Sequence, residues 1–215
     1  MRKIFFTPLF SLLLMSLQAQ EIAVTERGDS VVLYSNGTWD YYDNYRMDYR
    51  DQEGPVIPFS DKTYKKPGSA NKKVNGMNDA YEIWYDAKEW RRIPAGDINP
   101  EADVAFQAQR GDVYSMVIYE ELEIPLANLS DIALENALSV APDMQIIERE
   151  YRIVNSDTIV FMRMDGTTQG MKISYYSYYY TDEDGSIQFH TFTGQSLLNK
   201  YKEKIEDLLN GFMNK

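Results

Sequence analysis

The chain has no cysteine and a single histidine, His190, among 215 residues. The first absence removes disulfides, thiol nucleophiles and cysteine metal sites together. The second leaves a Ser-His-Asp triad one candidate base, and no G-x-S-x-G turn is present to expose a nucleophile to it. His190 also falls in a strand-like stretch beside Phe189 and Phe192, a setting that favours a structural ring over a general base. Ser-Lys chemistry lacks a suitably placed S-x-x-K; Ser60 to Lys62 and Ser196 to Lys200 have the wrong spacing. Basic residues are scarce as well, 22 Lys and Arg against 33 Asp and Glu, a net charge of −11. That balance argues against nucleic acid and anionic membrane surfaces, both of which demand clustered cations.

Long apolar runs are absent beyond the first twenty residues, MRKIFFTPLFSLLLMSLQAQ. There Arg2 and Lys3 precede an apolar stretch that exits through small residues near Ala19. This order reads as a secretory signal peptide, and the run is too short and interrupted to span a bilayer. No Cys follows it, so no lipid anchor is expected. Its removal takes away two positive charges and leaves −11 − 2 = −13. The expected product is exported, soluble and periplasmic or extracellular. With about 195 residues left and no disulfides, it must be held by core burial.

Residues 21–43 read as a small β-meander, with strands at 22–24, 31–34 and 38–42 and a hairpin signal at Asn36-Gly37. Residues 44–78 carry Pro55, Pro58 and Pro67 without periodicity and read as a linker. Within it Lys65, Lys66, Lys72 and Lys73 make the chain's basic cluster and read as a solvated face. From residue 79 to 215 the pattern is that of one domain. Tyr81 to Tyr85 suits a strand, followed by a turn carrying Trp90. The strands expected at 113–120 and 158–165 are apolar on both faces, so the sheet needs cover on both faces. Two amphipathic helices are available, 125–141 and 195–210, with Gly211 as a C-terminal cap. Four strands in an antiparallel meander lie between them, which gives an α+β order.

Several motifs in this region resemble those of the PsbP-like family, the α/β/α sandwich of an extrinsic photosystem II protein. They are Y-x-I-x-Y-x-x-x-x-W from Tyr81 to Trp90, E-x-x-x-P from Glu121 to Pro125, a turn at Val154-Asn155, and the Phe192-Thr193 pair before the last helix. The resemblance covers about residues 79–215. It implies an antiparallel sheet with helices on both faces, and a non-catalytic binding or assembly role of the kind a nuclear import factor of this fold plays with a small GTPase. The partner it implies is a protein or another envelope component. No catalytic residue, cofactor or metal is expected.

Four further features bear on chemistry. Glu120, Glu121 and Glu123 crowd one strand end, and paired carboxylates there would suit a hydrolase, the alternative reading. Asp182-Glu183-Asp184-Gly185 contains the middle of a calcium-loop pattern, although Asp and Gly also suit a hairpin turn. Two sequons, at Asn36 and Asn128, carry little weight behind a bacterial signal peptide. Finally, KISYYSYYYT places five tyrosines within six positions. Alternation splits them into two stripes, and Tyr176, Tyr178 and Tyr180, beside Ser174, form the face expected to be open for contact with a ligand.

Overall fold

A computed structural model of the chain describes residues 21–24, 30–33, 39–41 and 57–215. The expected signal peptide, the Asn36-Gly37 turn and residues 44–56 lie outside the described residues. The chain divides into two units, Met1–Val56 and Ile57–Lys215.

In the first unit β1 (Glu21–Val24), β2 (Ser30–Leu33) and β3 (Trp39–Tyr41) form an antiparallel sheet in the order β1-β2-β3. Val31 stands opposite both Ala23 and Tyr41 and is buried, whereas Trp39 is exposed.

The second unit begins well before residue 79. β4 (Phe59–Tyr64) pairs with β10 (Gln145–Val154), and β5 (Lys72–Asn75) with β6 (Tyr81–Tyr85). The reading of 57–78 as linker is therefore corrected. Its prolines bracket strands instead of marking a flexible tether: Pro58 precedes β4 and Pro67 follows it, and an edge strand tolerates proline. Pro58 also supplies the carbonyl that accepts Tyr151 N–H at 2.8 Å. Trp90 is likewise in a strand, β7 (Trp90–Ile93), beside β8 (Val104–Ala108).

With β9 (Val113–Glu120), β11 (Asp157–Thr168), β12 (Met171–Asp182) and β13 (Gly185–Gly194), these strands make an eight-stranded sheet in the order β4-β10-β11-β12-β13-β9-β8-β7. Every pair is antiparallel except β4 on β10, which is parallel, so the expected antiparallel sheet is mixed at one edge. A smaller sheet has the order β14-β6-β5, with β14 spanning Phe212–Asn214. The helices are α1 (Leu126–Val140) and α2 (Gln195–Leu209), close to the expected spans. The fold is a sheet-dominated α+β fold.

Alternation sorts the core. Ile159, Phe161, Tyr176, Tyr178, Ile187 and Phe189 cluster with Leu198, Tyr201, Ile205 and Leu208 of α2 and with Ile83 and Phe212 of the smaller sheet. Their neighbours of opposite parity, Val160, Met162, Met164 and Tyr179, cluster with Leu129 and Ala133 of α1. Arg149 fastens α1 from below. It donates to Asp131 Oδ1 at 2.6 Å and to the Ala127 carbonyl at 3.0 Å.

Candidate functional site

The three tyrosines expected on an open face do not lie on one. Tyr176 is 1% exposed and Tyr178 2%, and Tyr180 is half-buried against Phe212, 5.4 Å between rings. The Tyr178 hydroxyl donates to Asn210 Oδ1 at 2.7 Å, and desolvation pushes it above its ordinary range. Beside it the Arg152 guanidinium lies 3.6 Å over Phe161 and pairs with Glu150 at 2.6 Å. The correction has a simple cause. Both stripes of β12 are aromatic, so their composition does not tell which one receives the apolar face of α2.

The opposite stripe carries the more promising surface. On β12 it holds Tyr175, Ser177 and Tyr179; across β13 these face Phe192, His190 and Gln188, and on β9 those face Tyr114, Met116 and Ile118. Phe192 sits 5.8 Å from Tyr114, nearly parallel at 22°, and 5.6 Å from Tyr175. A three-ring ladder thus crosses three strands, and such aromatic pairs add about 0.5–1.5 kcal/mol each beyond burial. It continues onto β8 and β7, where Gln107 Nε2 donates to the Tyr114 hydroxyl at 3.1 Å and Arg91 donates to Gln107 Oε1.

Tyr114, Met116, Ile118, Tyr175 and Phe192 are all half-buried. Among the described residues, the core beneath α1 takes none from β7, β8, β9 or β13. Tyr175 packs against the edge of that core, and Tyr114 and Phe192 lie outside it, beside α1. Sequence reasoning missed it because Tyr114 and Phe192 are far from the tyrosine run. The signal was the register of β12, β13 and β9, which spacing alone does not give.

Under this surface His190 is 8% exposed, and its Nδ1 lies 2.9 Å from Ser177 Oγ. Burial pushes the imidazole down to about 4. Ser177 is wholly buried, so this Ser-His contact faces the interior.

The acidic features are distributed differently. Glu120 is exposed at the end of β9, and desolvation followed by the charge of Glu101 raises its carboxyl. Glu121 accepts from Asn78 Nδ2. In the Asp182–Gly185 stretch, Asp182 Oδ1 accepts the Asp184 and Gly185 N–H groups at 3.0 and 3.2 Å, which is a self-contained turn. Among the described residues no group of three His, Asp or Glu side chains could hold a metal.

A cavity of about 260 Å³ lies elsewhere, between Pro67, Trp90 and Leu208, and is rimmed by Asp86, Glu89, Glu203 and Asp207. Burial, then Glu203 and Asp86, raise the Asp207 carboxyl, and Lys204 pairs with Glu89. The lysine cluster is partly committed: Lys66 and Lys73 stand 4.6 and 5.5 Å over the Trp84 ring, and Lys73 pairs with Glu82 at 2.7 Å.

No protein-family profile matches the chain, and no curated protein matches it in sequence. The likeness to known proteins lies in the fold, which is PsbP-like. Cyanobacterial PsbP (CyanoP) from Synechocystis sp. PCC 6803 superposes with a TM-score of 0.51 at 16% identity, covering 75% of this chain and 100% of that one. Two other similar structures are the Ran-binding protein Mog1p of Saccharomyces cerevisiae and LpqN, involved in cell envelope biogenesis of Mycobacterium tuberculosis. Mog1p has a TM-score of 0.47 at 9% identity, over 67% of this chain and 95% of that chain. LpqN has 0.46 at 9%, over 66% and 88%.

Proposed function

We propose that this protein is an exported, non-catalytic binding or assembly protein of the bacterial cell envelope, and that the Tyr114–Phe192–Tyr175 ladder is its contact surface. We also read its architecture as a full α/β/α sandwich, with α1 and α2 on opposite sides of the large sheet. The observation that carries the proposal is the half-buried ladder beside α1. Rigid aromatic rings bury much area on contact with little loss of entropy, which suits a recognition surface. The basic-then-apolar order of residues 1–20 supports export. Among the described residues no helix is long and apolar enough to cross a membrane. The partner is a protein or another envelope component; the acidity of the chain disfavours nucleic acid.

The test is a comparative capture from envelope extracts with the wild-type chain and a Tyr114→Ser/Phe192→Ser variant. Both side chains are half-buried, so the variant is expected to stay folded, as a melting curve will report. Species retained by the wild type should drop at least tenfold on the variant. Equal retention by both would refute the assignment of the surface. Mass analysis of the protein from its native host should find a chain beginning near residue 21; a retained N-terminus would refute export by signal peptide.

A further inference from the structure

We propose that the surface beside α1 receives a protein segment that presents apolar side chains with a lysine or arginine at one end. The inference rests on the reading of this surface as the binding site and names the chemistry of its partner. Alternation along β9 places Tyr114, Met116, Ile118 and Glu120 in one line, roughly 20 Å long at about 3.3 Å per residue. The apolar strip therefore ends on a carboxylate.

That carboxylate is uncompensated. Desolvation and the neighbouring charge of Glu101 both disfavour its ionised form. Among the described residues no ion pair includes Glu101 or Glu120, although Glu82, Glu89, Asp131 and Glu150 all have a cation. The other end of the strip is of opposite sign: the Tyr114 hydroxyl meets Gln107, and Gln107 meets Arg91, whose side chain is exposed. A strip polarised in this way accepts a segment in one direction, with its cation at Glu101 and Glu120. Charge matching at a rim sets orientation and association rate, and the central rings supply the contact area.

The ring geometry favours a protein segment over a glycan. Tyr114 and Phe192 are stacked on each other at 22°, so they offer edges to the outside, whereas a sugar needs a broad open ring face.

The experiment pans a random peptide library against the full chain, with counter-selection against the Tyr114→Ser/Phe192→Ser variant. Enriched peptides should combine apolar side chains with a lysine or arginine at one end. Their affinity should fall at least tenfold against a Glu101→Lys/Glu120→Lys variant, in which two exposed side chains are replaced without disturbing the core. Melting curves confirm that both variants are folded. Peptides that need Tyr114 and Phe192 but lack a basic residue, or ignore the charge reversal, would overturn the inference and leave the surface standing. Peptides indifferent to Tyr114 and Phe192 would overturn both. Sedimentation that detects dimers of the full chain, lost in the Tyr114→Ser/Phe192→Ser variant, would assign the surface to a second copy and also overturn the inference.

Discussion

At His190, burial pushes the imidazole down to about 4, and Ser177 Oγ meets its Nδ1. An unfolded chain would take up that proton near 6.5. Because the folded value is lower, the unfolded state binds the proton preferentially between these two pH values. The contribution is therefore fully present above pH 6.5 and falls away as pH drops toward 4, by about 3 kcal/mol in all. Below pH 4 this group adds no further loss. A His190→Gln variant should lose that part of the pH dependence. Urea unfolding at pH 7 and pH 4 should give a stability difference about 3 kcal/mol smaller than in the wild type, and an unchanged difference would show that His190 is not the group responsible. Proximity to Phe189 and Phe192 in sequence already marked this histidine as a strand ring. The depth of its burial depends on Tyr179, whose ring meets it edge-on at 5.7 Å, and that follows only from the register.

At the scale of elements, the turn between β10 and β11 joins several parts of the second unit. Asn155 adopts a positive φ of 50° and closes the hairpin. Its N–H donates to the Tyr64 carbonyl of β4, and its Oδ1 accepts from Lys66 N at 2.7 Å. Its Nδ2 donates to the carbonyls of Asn210 and Phe212 at 2.9 and 2.7 Å, which ties the end of α2 and the start of β14 to the same point. An Asn155→Ala change removes the side-chain bonds and places a Cβ residue in the left-handed region without the asparagine's local support. It should cost about 2–3 kcal/mol. Asn155→Gly relieves the backbone and loses only the bonds, so the order of stability in denaturant melts should be Asn, Gly, Ala. A glycine variant less stable than the alanine variant would contradict the role given to the backbone. The Val154-Asn155 turn, both helices and the strands flanking the tyrosine run were legible in sequence, because period and turn chemistry are local. β4 was not. It is an edge strand with mostly exposed residues, so it lacks the alternation that marks a half-buried strand, and its prolines mimic a linker. Nor could sequence decide which stripe of β12 lies under α2, since Tyr176 and Tyr178 are as aromatic as Tyr175 and Tyr179.

At the scale of the whole molecule, the large sheet has a side packed under α2 and, on its other side, a half-buried surface beside α1. The packed side takes up Tyr176, Tyr178 and Tyr180 of the tyrosine run, and the surface is built by Tyr114, Phe192 and Tyr175, which only strand pairing brings together. A surface of this kind needs no acid–base pair and no metal to work, and it suits a protein that holds a partner in place. Met116 lies in its second row and Met171, 60% exposed, lies outside it. The most direct test is oxidative footprinting of the full chain with and without its native envelope extract. The extract should slow oxidation of Met116 and Tyr114 several-fold and leave Met171 unaffected. Unchanged oxidation of Met116, or protection centred on Met171, would contradict the assignment of this surface.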